Sequence, residues 1–310
     1  MIERIPASDR EAWLALRGKD VTASVAGCLL GVHEYMTGYE LAALKLGKIK
    51  DDPEESPAMR RGRLLEPIAV QILRETHPDW EIYYNDGPDR VYYRDPDARI
   101  GATPDVAIVD PRRGRGLGQI KTVEKSIFRS KWQTDTHDIE PPLWVAVQAL
   151  TEGHLYGADF VDVYPMTVGF GIDLHEIQMP KHQGIVDRLY ERTAEFWSIV
   201  DKGDLPDPEW ARDGEVIERM FARDDGSEVD WSGNDHALEL VMRRAGLKRA
   251  MKAAKTDLEP VEAELKAMLG NASTATLAGD VKLSWRLQHR KEFVTKASSF
   301  RVLRVSGEKE

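Results

Sequence analysis

The sequence predicts an α/β fold with a small helical and hairpin appendage at its carboxy-terminal end. Helix-period segments alternate with short strand-like runs in the order helix, strands, helix, strands, helix. The strand runs are bounded by Gly, Pro, Asn and Asp turns. Beyond residue 214 the composition shifts, with a long segment over 237–269 rich in Ala, Lys, Glu and Leu. With 310 residues, 42% of them hydrophobic, the chain exceeds one average domain and can bury a real core. The expected division is a main domain over 1–203, a Pro- and Gly-containing linker over 204–214, and the appendage over 215–310.

In chain order, Ser8 with Glu11 reads as a capping box opening a first helix that carries Trp13, Leu14 and Leu16. A second helix is expected from near Thr22 to Gly31. A third follows Thr37, with Glu40 as its capping-box acid and Gly47 as its stop. Residues 51–56 read as an acidic surface loop. A long helix then runs over about 57–76, and Pro67 must either kink it or restart it, which fixes Glu66 at an unusual backbone position. Strands are expected at 81–84, 90–94, 100–103, 106–109 and 118–122. A helix over about 141–156 has Pro in its first turn and an apolar stripe through Trp144, Val147, Thr151 and Leu155, with Gln148 on that stripe. Strands at 160–165 and 171–178 lead into a helix over about 181–201. In the appendage, 237–269 reads as a long charged helix or helical pair, broken near Gly246 or Pro260. A hairpin then turns at Gly279-Asp280, ahead of an FRVLRV tail. Trp231, Trp285 and Arg286 read as packing residues, and the appendage as a whole as a surface for oligomer or partner contacts.

No apolar run approaches the roughly 18 residues of a membrane span, and residues 1–10 lack a signal peptide's apolar segment. The expectation is a soluble protein that stays in the compartment where it is made. One cysteine, Cys28, excludes disulfides within the chain and Cys-based zinc or iron–sulfur sites, and it reads as a small core residue. The eight histidines show no metal-ligand spacing, and the absence of a Walker loop and of GxSxG removes support for ATP-driven helicase and serine-hydrolase readings. A net charge of -10 argues against a protein coated with positive charge, although not against a local site. Locally, Arg112, Arg113, Arg115, Lys121, Lys125, Arg129 and Lys131 form a basic patch. It is either a solvated turn and helix face or a track for a phosphate backbone. Trp132 and Trp144 read as core packing residues ahead of base-stacking ones.

The chemistry concentrates in residues 99–122, RIGATPDVAIVDPRRGRGLGQIKT. Two short strands joined by a basic, Gly-rich turn put Asp105 beside Gln119 and Lys121. Strands lie roughly 4.8 Å apart and alternate residues share a face, so Gln119 and Lys121 project to one side, within reach of Asp105. Pro104 has no ladder N–H, so Asp105 sits where the sheet frays and can point at a metal. Hydrolysing a phosphodiester needs an activated water, a Lewis acid and a stabilised leaving oxygen, all of which oxygen-bound Mg²⁺ can supply. Lys121 would position water or stabilise negative charge, and Glu66 and Gln148 offer further oxygens from flanking helices. Taken singly, Asp105 caps a turn, Lys121 is solvated and Gln119 alternates outward; the ordered series favours a metal-dependent phosphodiesterase.

That series, Glu66-Pro67, ATPD ending at Asp105, Gln119-Ile120-Lys121 and Gln148, resembles the lambda exonuclease and YqaJ-type phage recombinase group of PD-(D/E)xK nucleases. Trp13, Arg17, the VTAS run ending at Ser24, and the Gly-x-x-x-Glu helix at 59–66 extend the resemblance, which covers about residues 10–200. It implies a restriction-endonuclease-like core with a central mixed β-sheet flanked by helices. By the same resemblance Asp105 is the central metal ligand, the Ile120 carbonyl a second, and Glu66 and Gln148 outer ligands. Lys121 is the catalytic lysine. Arg17, Ser24 and Thr103 are a pocket for a 5′ phosphate, where a guanidinium and hydroxyls form charge-assisted bonds.

Gln119 stands where the family has Glu or Asp. A carboxamide oxygen still coordinates Mg²⁺ but lacks the charge that holds a hard cation. Three explanations stand: a working variant site with Gln119 as a ligand, a chain inactivated by the substitution, or Glu124 reaching in as the acid. The resemblance implies a Mg²⁺-dependent exonuclease, with Mn²⁺ as substitute, acting in the cytoplasm of a bacterial host. It would degrade one strand of linear duplex DNA from the 5′ end and pass the overhang to a single-strand annealing protein in phage-type recombination, as a ring-shaped homotrimer. The rivals are a RecB-like or restriction-type nuclease of other polarity, a DNA-end-binding or recruitment protein, and a scaffold using the charged helices.

Overall fold

A computed structural model describes residues 1–50, 55–290, 292, 297 and 299–305. Most of the expected acidic loop therefore lies outside the described residues. The chain forms two compact units, Met1–Met220 and Phe221–Glu310.

The first unit is a mixed α/β fold. Its larger sheet orders β10 (Ile177–Gln178), β8 (Phe160–Val168), β7 (Gly114–Val123), β6 (Val106–Asp110) and β3 (Glu81–Tyr84), with β9 (Ile172–Leu174) also paired to β8. β6 and β7 form an antiparallel hairpin, whereas β7 and β8 run parallel. A parallel pair needs a crossover, and α6 (Leu143–Tyr156) supplies it. One sheet face packs on α4 (Pro57–Thr76) through Ala69, Val70 and Leu73 against Val106, Ile108, Ile120, Tyr164 and Met166. The other packs on α5 (Lys125–Lys131) and α6 through Phe128, Val145 and Ala149 against Val123 and Val163. The strand period of two therefore sorts β7: Ile120 faces α4, and Gln119 and Lys121 face α6. Gly116 and Gly118 keep the α4 face flat, since a Cβ there would meet the Phe160 ring at 2.4 Å or Tyr164 and Val106 at 2.6 Å.

A smaller sheet orders β1 (Glu3–Pro6), β4 (Val91–Asp95), β5 (Ile100–Ala102) and β2 (Val21–Thr22). Residues 103–105 cross from β5 in this sheet to β6 in the larger one. α1 (Arg10–Lys19), α2 (Ala23–Ala26), α3 (Gly38–Lys45), α7 (Gln183–Val200) and α8 (Gly214–Met220) complete the unit.

Several local expectations shift. The cap of α1 is Asp9, which accepts from the Ala12 N–H, rather than Ser8 one residue earlier. The expected second helix resolves into β2, one turn of α2 and a 3-10 turn, because Val21 and Thr22 pair with Ile100 and Gly101 before the helix starts. α4 is one helix through Pro67, which removes a single interior N–H. The 171–178 strand divides into β9 and β10. The segment expected as a linker, 204–214, lies inside the first unit, because buried Asp213 accepts from Thr37 Oγ1 at 2.5 Å and from the Glu209 N–H at 2.6 Å.

The second unit contains α9 (Asp235–Leu269), unbroken at Gly246 and Pro260, and the expected hairpin of β11 (Thr274–Thr276) and β12 (Lys282–Ser284). Gly279 and Asp280 turn it with φ of 74° and 60°. Trp231 and Trp285 are not packing residues: they stand 65% and 51% exposed, and among the described residues of this unit only Ala245 is buried.

Candidate active site

Asp105 sits one residue before β6, and the β6–β7 register of Val106 with Gly118 puts it opposite Gln119. Its Oδ2 accepts from the Ile120 backbone N–H at 2.7 Å and from Gln119 Nε2. Lys121, two residues on and on the same face, donates from Nζ to Gln148 Oε1 at 2.9 Å and lies 5.4 Å from the Trp144 ring centre. Gln148 Nε2 in turn donates to Gln119 Oε1 at 3.0 Å and to Glu152 Oε1 at 2.9 Å. Asp105, Gln119, Lys121 and Gln148 are thus brought together as the sequence predicts. Glu66, from α4, accepts from the Tyr84 hydroxyl at 3.1 Å and lies close enough to Asp105 to feel its charge.

Burial raises the carboxyl pKa of Glu66, and the Asp105 charge raises it further, against the Tyr84 hydroxyl and Lys121. Asp105 is raised by burial and then by Glu152, against Lys121, the Ile120 N–H and Gln119. Glu152 is raised by burial, against Gln148, Lys121 and Arg17. Carboxylates that desolvation and mutual repulsion make reluctant to ionise form a field that favours a cation.

The donors are hard oxygens suited to Mg²⁺, which binds through one or two carboxylates and keeps several waters. Asp105, Glu66 and the Ile120 carbonyl fit that demand. Among the described residues no group of three or more acidic, His or Cys side chains is placed to hold one ion, so the protein's share of such a site is small. Glu124 does not substitute as the acid: it caps α5, accepting from the Ser126 and Ile127 N–H groups.

The residues expected to hold a phosphate also lie together. Arg17 Nη2 donates to Ser24 Oγ at 3.3 Å, Ser24 Oγ lies 3.1 Å from Thr22 Oγ1, and the guanidinium sits 4.7 Å over the Trp13 ring. Trp13 Nε1 donates to Thr103 Oγ1 at 2.9 Å, tying the pocket to the segment that ends at Asp105.

The basic patch does not hold together. Arg112, Arg113 and Arg115 occupy the far end of the β6–β7 hairpin, roughly 20 Å from Lys121 at about 3.3 Å per residue. Arg113 is committed inward, pairing with Asp110 at 2.7 Å and in bidentate fashion with fully buried Asp162 at 3.0 and 2.8 Å, so it does not track DNA. Arg115 lines a cavity of about 990 Å³ with Leu117 and Tyr156, and Tyr84 and Pro104 border that cavity on the Asp105 side. Lys125, Arg129 and Lys131 lie on α5, directly after β7, where Lys125 is 3.8 Å from Asp173 and Lys131 pairs with Glu34. Trp132 is core, as expected.

One member of the site escaped the sequence reading. Glu152 is 2% exposed, one turn past Gln148 on the buried face of α6. The i, i+4 spacing from Gln148, on a helix otherwise apolar there, was the available signal.

A carboxylate and a lysine on neighbouring strands, a glutamate from the helix behind the sheet and an arginine–hydroxyl cluster alongside make up the candidate centre. Residues 12–150 match the family model described as a YqaJ-like viral recombinase domain. No curated protein sequence matches the chain. Similar solved structures include an alkaline exonuclease (LHK-Exo) from Laribacter hongkongensis, 20% identical over 62% of this chain and 93% of that one, TM-score 0.45. A putative exonuclease from Eubacterium rectale is 11% identical over 72% of this chain and 96% of that one, TM-score 0.43. A phage related exonuclease from Haemophilus somnus 129PT is 14% identical over 59% and 94%, TM-score 0.41.

Proposed function

We propose that the chain is a Mg²⁺-dependent, sequence-independent DNA exonuclease that shortens one strand of linear duplex from its 5′ end during viral-type recombination. The observation that carries the reading is the grouping of Asp105, Gln119, Lys121 and Gln148 beside the Arg17–Ser24 pocket. Arg17, Ser24 and Thr103 hold the terminal 5′ phosphate, which sets the next phosphodiester against Asp105. Lys121, steadied by Gln148, positions the attacking water and offsets the charge that develops on the phosphoryl oxygens. Water adds to phosphorus, the P–O3′ bond breaks, and the shortened strand keeps a 5′ phosphate. Asp105, Glu66 and the Ile120 carbonyl would hold Mg²⁺, or Mn²⁺ in its place, and the bound ion would supply Lewis acidity and a more acidic water; the Gln119 and Gln148 oxygens, expected as further ligands, are turned to Gln148 and Lys121 instead. Lys125 and Arg129 on α5 run alongside as backbone contacts. A homotrimer around the DNA and transfer of the 3′ overhang to an annealing protein belong to the same reading.

A second reading, a DNA-end-binding protein without cleavage, draws support from Gln119, which presents an N–H rather than a negative oxygen to Asp105. A time course on end-labelled linear duplex, with and without a 5′ phosphate and beside closed circular DNA, tests both. Metal-dependent loss of linear duplex that Lys121→Ala abolishes, with circles intact, is the expected result. Intact linear duplex with tight end binding supports the second reading, and cut circles indicate an endonuclease.

A further inference from the structure

Glu152 has no place in the reaction as written, yet it ends the hydrogen-bond chain that orders the site. A lysine ammonium only donates, so Lys121 takes the Gln148 oxygen and leaves the Gln148 NH₂ for Glu152. The second Gln148 N–H then meets Gln119 Oε1, and this turns the Gln119 NH₂ toward Asp105. Every donor in the chain from Glu152 to Asp105 meets an acceptor, and its three members before Asp105 lie in the interior: Gln119 is 2%, Gln148 5% and Glu152 2% exposed. Half-satisfied networks of this kind are costly, so one end fixes the other.

We propose that Glu152 carries the negative charge that Gln119 lacks: the second acid of this site has moved from the strand to the helix and acts through the Gln148 amide. Glu152 is a positioning residue. It holds the Gln148 oxygen on Lys121 and the Gln119 amide on Asp105. Its carboxylate is engaged by the Gln148 amide, through which it acts on the rest of the site. The inference rests on the nuclease reading for its kinetic consequence but not for its effect on cation affinity.

The swap follows from the same geometry. With Gln119→Glu and Glu152→Gln combined, Gln148 still faces a carboxylate, now on the strand, and the amide at 152 can offer its own oxygen to the other Gln148 N–H. The test compares the full-length wild type with Glu152→Gln, Glu152→Asp and the Gln119→Glu/Glu152→Gln double variant. Each is read by calorimetric titration with Mn²⁺, by kcat and KM on 5′-phosphorylated duplex, and by thermal melting. Glu152→Gln is expected to lower kcat and Mn²⁺ affinity by about 10- to 100-fold, the usual cost of removing a partner that orients a metal site, with KM for DNA ends near wild type. Glu152→Asp should fall between, and the double variant should recover most of both losses.

Wild-type kcat and Mn²⁺ affinity in Glu152→Gln would overturn the proposal. So would a double variant as impaired as Glu152→Gln. Should Glu152→Gln melt too low to assay, a merely structural Glu152 predicts a double variant equally unstable, whereas charge relocation predicts one that folds and binds Mn²⁺. If the wild type cleaves nothing, the nuclease reading fails, and the Mn²⁺ affinities of the same proteins still decide the role of Glu152.

Discussion

Asp105 and Gln119 face each other across the β6–β7 ladder, and the contact between them is an amide N–H given to a carboxylate. Replacing Gln119 by Glu puts two acids in direct opposition, which destabilises a strand pair unless a cation intervenes. The metal-free Gln119→Glu protein should therefore melt below the wild type, and Mg²⁺ should raise its melting temperature by the larger increment. Thermal melting with and without Mg²⁺ reads both effects. An unchanged Mg²⁺ increment would separate the Asp105–Gln119 pair from metal binding.

Lys121 is held from two sides, by the Gln148 oxygen at 2.9 Å and the Trp144 ring at 5.4 Å. That restraint suits a charge placed for the transition state more than one placed for binding. Lys121→Ala should lower single-turnover cleavage by about 100-fold or more while leaving affinity for duplex ends nearly intact. Filter binding beside quenched-flow cleavage checks the split.

Arg113 sits between Asp110 and Asp162, with its guanidinium 3.8 Å from the Phe160 ring centre. Arg113→Met leaves the fully buried Asp162 without its cation, a loss of about 3–5 kcal/mol, which denaturant unfolding would report. Adding Asp162→Asn should restore part of it. Arg113 also marks where sequence reading stopped. Asp105 and Lys121 were legible because a hairpin register is local and alternation fixes the face. The basic turn at 112–115 has the same composition whether it meets DNA or a carboxylate 49 residues away in β8, and only the strand order decides. Glu152 was hidden for the same reason: a helical glutamate reads as solvated until the sheet that buries α6 is known. The second unit was legible as helix and hairpin but not in its packing, because local pattern carries no information on whether Trp231 or Trp285 is covered, and both are exposed.

Burial pushes the Cys28 thiol up to about 12. The unfolded thiol ionises near 8.5, so the contribution to stability is complete below that pH and is lost only as pH climbs toward the folded value. Between pH 6 and 8 Cys28 should neither titrate nor react. A thiol reagent such as iodoacetamide should leave the native protein unmodified at pH 8 and label one site in denaturant, with intact mass as the readout. Rapid labelling of the native protein would show that the packing of Cys28 against Leu41, Val147 and Trp197 opens readily.

Arg17 and Ser24 stand 3.3 Å apart, with Thr22 and Thr103 bound into the same group. If this is where a 5′ phosphate is held, the wild type should discriminate between phosphorylated and dephosphorylated duplex ends, and Arg17→Ala should erase the discrimination. A hydrogen bond to a charged group contributes about 1.5–3 kcal/mol, so phosphorylated ends should lose on the order of 10- to 100-fold in kcat/KM and dephosphorylated ends very little. Trp13→Phe keeps a ring under the guanidinium but removes the bond to Thr103, and should fall between the two. Arg112→Ala supplies the contrast, since Arg112 lies at the far end of the hairpin: it should change neither the phosphate preference nor the salt dependence. An equal loss on both kinds of end in Arg17→Ala would place Arg17 in general backbone binding, and an Arg112→Ala effect as large as that of Arg17→Ala would mean that DNA spans the whole length of β7.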